Sequence, residues 1–227
     1  MTRVPAYTAA QVRAAEAPLL AAGEPLMQRA AAALADVLRQ ELPPGGRVLV
    51  VAGRGDNGGD ALFAGAALAA EGTAVDIVQT TDAAHAQGLD AALAAHARVI
   101  ALDEAAAADP AYALIVDGIV GIGATGDPAL RGGAREAVAA LLPAVRRGDI
   151  RVIAVDLPSG LQPDDGTVAD DIVLPASVTV TFGALKAGLV RDAGPRLAGR
   201  VVLVDLGLDL PAGEAVDDGD VDLLRHP

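Results

Sequence analysis

Acidic, amide and glycine residues that could do chemistry cluster first in a short loop at residues 53–60. Gly53–Asp60 contains the G-x-G-x-x-G spacing of a dinucleotide-binding turn between a strand and a helix. Asp56 and Asp60 would repel a pyrophosphate at the start of that helix, so these side chains suit hydroxyls, amides or a cation better. A glycine turn without any ligand explains the same residues.

Two further loops combine glycine with a polar side chain at the end of an apolar run. Asp117 precedes residues 118–127, whose four glycines leave backbone amides uncovered and could form an anion-binding nest. Asp156 and Ser159 follow the next such run, at residues 151–155. A carboxyl group at a buried strand end could act as an acid or base, although capping of a turn explains both segments as well.

Asn57, Asp117 and Ser159 would supply three hard oxygen ligands from three different loops. Such ligands suit an alkali or alkaline-earth cation rather than zinc. Lys186 stands alone among glycines, and we expect it to be a surface charge. The three histidines are scattered, so we expect them at the surface too.

The elements that position these loops alternate between strand and helix. Short β-branched runs predict strands at residues 47–51, 74–79, 98–102, 113–117, 151–155, 177–181 and 200–204. Helices are predicted from a capping box at Thr8–Gln11 onward and at residues 25–41, 59–71, 89–96 and 134–147. This order predicts an α/β fold, a Rossmann-like three-layer αβα sandwich with a mainly parallel sheet. Ligands of such sheets bind beyond the carboxyl ends of the strands, where all three loops would open.

Length and composition indicate one domain over residues 1–227, with residues 213–227 as a loose tail or linker remnant. The net charge of -13 disfavours nucleic acid and anionic membranes as partners. There are no cysteines to bind metal. The N-terminal residues lead into a helix rather than an apolar signal core, and no apolar run reaches membrane-spanning length. We therefore expect a cytoplasmic protein.

Taken together, these segments resemble the NAD(P)H-hydrate epimerases, which also occur as the N-terminal domain of bifunctional bacterial NAD(P)H-hydrate repair enzymes. The resemblance spans nearly the whole chain. It rests on Tyr7–Glu16, Leu26–Ala31, Asp56–Asp60, Ile115–Asp117, Val155–Gly160 and Thr179–Gly183. The family more often has a second Asn where this chain has Asp56.

The resemblance implies an isomerase that interconverts the (6R) and (6S) forms of hydrated NADH and NADPH. It implies that the hydrated dinucleotide contacts two loops and one further acid, namely Asp56, Asn57, Gly58, Gly59, Asp60, Gly121, Ile122, Gly123, Ala124, Thr125, Gly126, Asp127 and Asp156. It also implies a potassium ion held by Asn57, Asp117 and Ser159, a homodimer, and a functional link to an NAD(P)H-hydrate dehydratase. We interpret Asp156 as the catalytic proton carrier.

Two other functions remain open from the residues alone. An NAD(P)-dependent oxidoreductase would use the glycine turn together with Asp76, which lies about 20 residues further on, where a ribose-binding acid often occurs. A non-catalytic dinucleotide-binding module is the third reading, because this fold hosts many functions.

Overall fold

A computed structural model describes residues 1–108, 111–123 and 126–225. Within those ranges the strands are β1 (Thr2–Tyr7), β2 (Val48–Ala52), β3 (Val75–Gln79), β4 (Arg98–Val99), β5 (Leu114–Gly118), β6 (Arg151–Val155), β7 (Val178–Phe182), β8 (Leu185–Lys186), β9 (Arg200–Asp205) and β10 (Asp217–Arg225). The α-helices are α1 (Ala9–Ala21), α2 (Leu26–Glu41), α3 (Asp56–Ala70), α4 (Ala86–Ala94), α5 (Leu102–Ala106), α6 (Gly132–Arg147) and α7 (Gly194–Leu197).

The strands form one sheet in the order β4-β3-β2-β5-β6-β7-β9-β10-β1-β8. Every neighbouring pair from β4 to β10 is parallel, as is the pair of β1 with β8. Among the described strands only the pair of β1 with β10 is antiparallel. The chain leaves β2 toward β3 and β4, and it returns to the other side of β2 at β5. That change of direction places the switch point of the sheet between β2 and β5.

Helices cover both faces of the sheet, as the alternating side chains of β2 illustrate. Val48 and Val50 pack into the apolar cluster formed with α2, α3 and α4. Leu49 and Val51 point the other way and join the cluster formed with α5 and α6. All four are fully buried, as expected for a central parallel strand. The predicted Rossmann-like three-layer fold with a mainly parallel sheet is confirmed.

Local signals fix the ends of two helices. Thr8 Oγ1 accepts a hydrogen bond from the Gln11 amide and the Thr8 amide donates to Gln11 Oε1, so the predicted capping box begins α1. Gly148, with a φ of +81°, ends α6 in the left-handed conformation that favours glycine. No helix among the described residues has both the length and the apolar character needed to cross a membrane.

Both chain termini differ from the sequence-based expectation. Residues 217–225, expected to lie in a loose tail, form β10, which pairs with β9 on one side and β1 on the other. Thr2–Tyr7, read as a lead-in to the first helix, forms β1. The strand β10 was missed because acidic residues dominate it. The strand β1 was missed because it pairs with β10, about 215 residues away in the chain, and a local pattern does not reveal such a pairing.

Candidate active site

The loops predicted to carry chemistry meet at one rim of the sheet. β2, β5, β6 and β7 are consecutive neighbours and run parallel, so their carboxyl ends lie side by side. Asp117 lies near the end of β5, and Asp156 directly follows β6. The rim includes the switch point between β2 and β5, where open α/β sheets bind their ligands.

Glycines bring the loop after β2 and the loop after β5 into close contact. A Cβ atom on Gly53 would lie 1.9 Å from the carbonyl oxygen of Ile119, and one on Gly58 would lie 2.0 Å from the carbonyl oxygen of Gly53. The Gly53 amide donates to the carbonyl of Gly118 at 3.0 Å. Backbone is therefore packed against backbone at the start of α3, which only glycine permits.

Asp117 and Ser159 are fully buried and directly bonded to each other. Ser159 Oγ donates to Asp117 Oδ1 at 2.6 Å, and the Ser159 amide donates to Asp117 Oδ2 at 2.9 Å. Ser159 Oγ also accepts a hydrogen bond from the Val120 amide at 3.0 Å. Burial raises the pKa of Asp117, and its hydrogen bonds from Ser159 oppose that rise.

Asn57, in the first turn of α3, reaches across the same rim. Its Nδ2 donates to the carbonyl of Val155 at 2.6 Å, at the end of β6. A Cβ atom on Gly121 would lie 2.2 Å from Asn57 Oδ1, so the side-chain amide of Asn57 packs directly against the glycine loop. The three residues predicted to hold a cation thus lie at the ends of the neighbouring strands β2, β5 and β6.

Asp156 is buried and forms an ion pair that the sequence did not predict. Its Oδ1 lies 2.5 Å from Lys186 Nζ and accepts a hydrogen bond from Thr181 Oγ1 at 3.2 Å. The Asp156 backbone has a φ of +70°, a left-handed conformation that aspartate tolerates better than most residues. Such uncommon conformations cluster at functional sites.

Lys186 is 1% exposed, so the expectation of a surface charge is wrong. Its ammonium also donates to the carbonyl of Phe182 at 2.6 Å. The reason is tertiary: Lys186 lies in the two-residue strand β8, which pairs with Tyr7 of β1. Local sequence around Lys186 does not reveal that pairing.

Asp60 lies in the second turn of α3 and is 6% exposed. Its Oδ1 has no hydrogen-bond partner among the described residues. Burial is the main reason that the pKa of Asp60 lies well above its usual range. Three nearby carboxylates raise that pKa further, and the Lys186 ammonium opposes them. These carboxylates belong to Asp156, Asp56 and Glu16.

Glu16 of α1 is a second site residue that sequence reasoning did not select, although it closes the Tyr7–Glu16 segment. Burial raises the pKa of Glu16, and the charges of Lys186 and Asp156 act on it in opposite directions. The N-terminal helix therefore carries a carboxyl group to the rim. The same helix holds the glycine loop, because Arg13 Nη1 donates to the carbonyl of Ile122 at 2.5 Å.

The far end of the glycine loop borders a pocket of about 190 Å³ between the loops that follow β5 and β6. Asp127 lies there in an exposed ion pair with Arg131, at 2.7 Å. Gly121, Ile122, Gly123 and Gly126 lie along the loop, whereas the predicted site residues Ala124 and Thr125 lie outside the described residues.

Residues 23–188 match the family model described as YjeF-related protein N-terminus. This range contains all of the rim residues named above except Arg13 and Glu16. The chain belongs to this family. Relatives named NAD(P)H-hydrate epimerase, at 57% and 61% identity, confirm the family resemblance seen in the sequence.

Three relatives each match about nine-tenths of this YjeF-related chain. The NAD(P)H-hydrate epimerase of Microbacterium testaceum is 61% identical over 208 residues, which cover 91% of this chain and 80% of the relative. The protein of the same name from Clavibacter michiganensis subsp. michiganensis is 57% identical, covering 90% and 91%. The bifunctional NAD(P)H-hydrate repair enzyme Nnr of Mycobacterium tuberculosis (strain CDC 1551 / Oshkosh) is 41% identical, and this chain covers 42% of its length.

The crystal structure of yeast ynu0 (YNL200c) is similar to this YjeF-related chain in fold. The TM-score is 0.70 at 20% sequence identity, with 82% of this chain and 84% of the yeast chain covered.

Asp76, the candidate ribose-binding acid of the oxidoreductase reading, lies at the opposite end of the sheet. It is the second residue of β3 and is 3% exposed. Its carboxylate is bound by Arg47 at 2.7 Å, Arg98 at 2.8 Å and the Tyr112 hydroxyl at 2.9 Å. These contacts lower the pKa of Asp76 against the effect of its burial. In this YjeF-related chain Asp76 therefore takes part in structural ion pairs with Arg47 and Arg98, away from the rim.

Two of the histidines of this YjeF-related chain lie among the described residues. His85 caps α4, where its Nδ1 accepts a hydrogen bond from the Gly88 amide at 3.1 Å, and it is half-buried rather than at the surface. His96 is exposed, as expected. His226 lies outside the described residues.

Proposed function

We propose that this chain is an NAD(P)H-hydrate epimerase, which interconverts the (6R) and (6S) forms of hydrated NADH and NADPH. The observation that carries the proposal is the 61% identity to an NAD(P)H-hydrate epimerase over 91% of the chain. The rim supports it independently, since it joins a buried acid to a glycine loop that can receive phosphates.

The chemistry required is inversion of one carbon of the damaged nicotinamide ring, assisted by proton transfer to and from the oxygen that it carries. That carbon carries a hydroxyl group and is bonded to the ring nitrogen, whose lone pair can expel the hydroxyl as water once it is protonated. Addition of water to the other face of the resulting iminium carbon inverts the centre. No hydride moves, so the reaction needs no redox partner.

Asp156 is the proposed proton carrier, and Lys186 holds it in place. A buried carboxylate with an ammonium partner at 2.5 Å has a fixed orientation and a stabilised charge. A positioned acid or base of this kind contributes about 10²–10⁴-fold to the rate. The loops Asp56–Asp60 and Gly121–Asp127 would bind the dinucleotide, with the glycine amides directed at its phosphates.

A potassium ion is the proposed cofactor, with Asn57, Asp117 and Ser159 as side-chain ligands. The donor set fits such an ion, because it offers only oxygen and a single carboxylate, and that carboxylate is fully buried. Among the described residues, no group of three or more His, Cys, Asp or Glu side chains is arranged to hold a metal ion. When bound, the cation would fix the loops after β2, β5 and β6 and offset the negative charge of the rim.

The remaining expectations stay predictions. A single domain rests on length and composition, and a cytoplasmic location rests on the pattern of the sequence. A homodimer and a functional link to an NAD(P)H-hydrate dehydratase rest on the family resemblance. Sedimentation velocity of the purified chain tests the homodimer directly.

Chromatography that separates the two hydrate epimers, before and after addition of the protein, tests the function. We expect a purified (6R) epimer to approach the equilibrium mixture far faster than without the protein. Incubation with NADPH and a panel of ketones provides the contrasting test, because turnover there would indicate an oxidoreductase. Binding of either epimer without interconversion would indicate a non-catalytic module.

A further inference from the structure

Asp60 differs from the other two buried carboxyl groups of the rim because its Oδ1 has no hydrogen-bond partner among the described residues. Asp156 has Lys186 and Thr181 as partners, and Asp117 has Ser159. Asp60 is equally buried, yet its Oδ1 makes no hydrogen bond. Buried polar atoms without a partner are rare in folded proteins, so this one requires an explanation.

The proposed reaction needs a group that no residue yet supplies. Expulsion of the hydroxyl requires a proton donor first, and addition of water requires a proton acceptor afterwards. Asp156 is arranged as an acceptor, because Lys186, Thr181 and the Phe182 amide all direct protons at its Oδ1. A donor must therefore come from elsewhere in the site.

We propose that Asp60 is a second catalytic residue, whose neutral carboxyl group donates the proton that removes the substrate hydroxyl as water, while Asp156 accepts a proton from the water that returns. This inference rests on the proposed epimerase function.

The steps balance without a further reactant. The Asp60 proton passes to the hydroxyl oxygen, the carbon–oxygen bond breaks, and the nitrogen lone pair forms the carbon–nitrogen double bond. Water then adds to that carbon, the double-bond electrons return to nitrogen, and Asp156 takes the proton that the water loses. Transfer of one proton from Asp156 back to Asp60, directly or through solvent, restores the starting state.

The surroundings of the two groups favour these different protonation states. Asp156 has an ammonium group against its oxygen, which stabilises its carboxylate. Asp60 has no such partner, and charged groups of four elements face it: Asp56 from its own helix α3, Glu16 from α1, Asp156 from the end of β6, and Lys186 from β8. Three of these four are carboxylates, which disfavour a further negative charge. Two carboxyl groups with contrasting surroundings are the usual arrangement of an acid and a base.

The alternative is that Asp60 only binds the substrate, as an acceptor for a hydroxyl or amide group. Such a contact contributes equally before and during the reaction. Loss of such a contact raises KM and leaves kcat unchanged, whereas loss of a proton donor lowers kcat. The two roles are therefore separable by kinetics.

The test compares Asp60→Asn with the wild-type protein across pH, with each hydrate epimer as substrate. We expect kcat to fall about 10²–10⁴-fold in Asp60→Asn, with a much smaller change in KM. In the wild-type protein kcat should decline as pH rises through the pKa of Asp60, and this alkaline limb should vanish in the variant. Glu71→Gln, at the exposed C-terminal end of α3, is the matched control and should keep both kcat and the limb.

Infrared spectroscopy gives a readout that does not depend on activity. At neutral pH the wild-type protein should show the carbonyl band of a buried carboxylic acid, and Asp60→Asn should lack it. Unchanged kcat in Asp60→Asn, or a wild-type spectrum without that band, overturns the inference. Absence of interconversion by the wild-type protein would instead overturn the proposed function, so the two failures are distinguishable.

Discussion

Lys186 Nζ lies 2.5 Å from Asp156 Oδ1, and the two side chains are 1% and 5% exposed. Lys186 comes from β8 and Asp156 from the end of β6, so the pair joins the edge of the sheet to its centre. A buried ion pair contributes little net stability, but removal of one partner leaves a charge that is buried without compensation. The pair thus makes the position of Asp156 depend on the far edge of the sheet.

Replacement of Lys186 by methionine should destabilise the protein by about 3–5 kcal/mol, because the Asp156 carboxylate would remain buried without its cation. Urea unfolding followed by circular dichroism measures this loss. The double variant Lys186→Met/Asp156→Asn should recover part of it, since no charge is then left unpaired. Equal stability of the single and double variants would contradict the pairing.

Asp156→Asn should fold and lose most epimerase activity. Asparagine tolerates the left-handed backbone at this position, but an amide cannot carry the proton. We expect kcat to fall by about 10²–10⁴-fold, measured by epimer chromatography on protein whose circular dichroism is native. Asp171→Asn, an exposed acid in the loop after β6, serves as control. Near wild-type turnover in Asp156→Asn would rule out its assignment as proton carrier.

The sequence predicts the central part of this fold because the signals there are local. Strands such as residues 113–117 and 151–155 are short, mostly apolar runs that contain β-branched residues, and their observed positions differ by one residue at most. Strands β1, β8 and β10 give no such signal, since β8 has only two residues and β1 pairs with segments distant in the chain. Acidic residues at alternate positions of β10 further conceal its strand character.

The same distinction applies to the candidate site. Side chains that follow strong strands, among them Asn57, Asp117 and Asp156, could be placed on one rim from the alternating pattern alone. Lys186 could not, because its burial depends on β1. Glu16 could not either, because the packing of α1 across the rim depends on contacts such as Arg13 with Ile122. Long-range packing therefore supplies the residues that complete the site.

The pH dependence of stability provides a further test of the buried Asp60. Its pKa is raised above the ordinary value of 3.8, so the folded state binds more protons than the unfolded state between these two values. Stability is then lost as pH rises through the raised pKa. Asp60→Asn removes this loss, so the free energy of unfolding of the variant should exceed that of the wild-type protein by a margin that grows with pH. A margin that stays constant from pH 4 to 8, measured by urea unfolding, would contradict this.

Gly58→Ala should destabilise the protein by about 1–3 kcal/mol, because the new methyl group would lie against the Gly53 carbonyl oxygen and force the backbone apart. Gly55→Ala, in the same loop, meets no atom within 4 Å and has a negative φ. Gly55 is the N-cap of α3, where alanine is less favourable than glycine, so its replacement should cost less than about 1 kcal/mol. Thermal or urea unfolding measures the loss of stability in each variant. Equal losses would show that the close contact of Gly58 with the Gly53 carbonyl does not restrict the residue at position 58.

Potassium should stabilise the folded protein through Asn57, Asp117 and Ser159. At about 100 times its Kd a bound ion adds about 2.7 kcal/mol, which raises Tm by about 5–11 °C for a chain of this size. Magnesium fits these ligands poorly because it demands tight octahedral geometry and retains its water.

Asp117→Ala removes the charged ligand of this site, so it should have a lower Tm in potassium and show the same Tm in potassium and tetramethylammonium. Asp149→Asn, an exposed acid outside the rim, should retain the difference between the two cations. If the wild-type Tm and epimerase activity are equal in potassium and tetramethylammonium at the same ionic strength, these three residues do not form a potassium site.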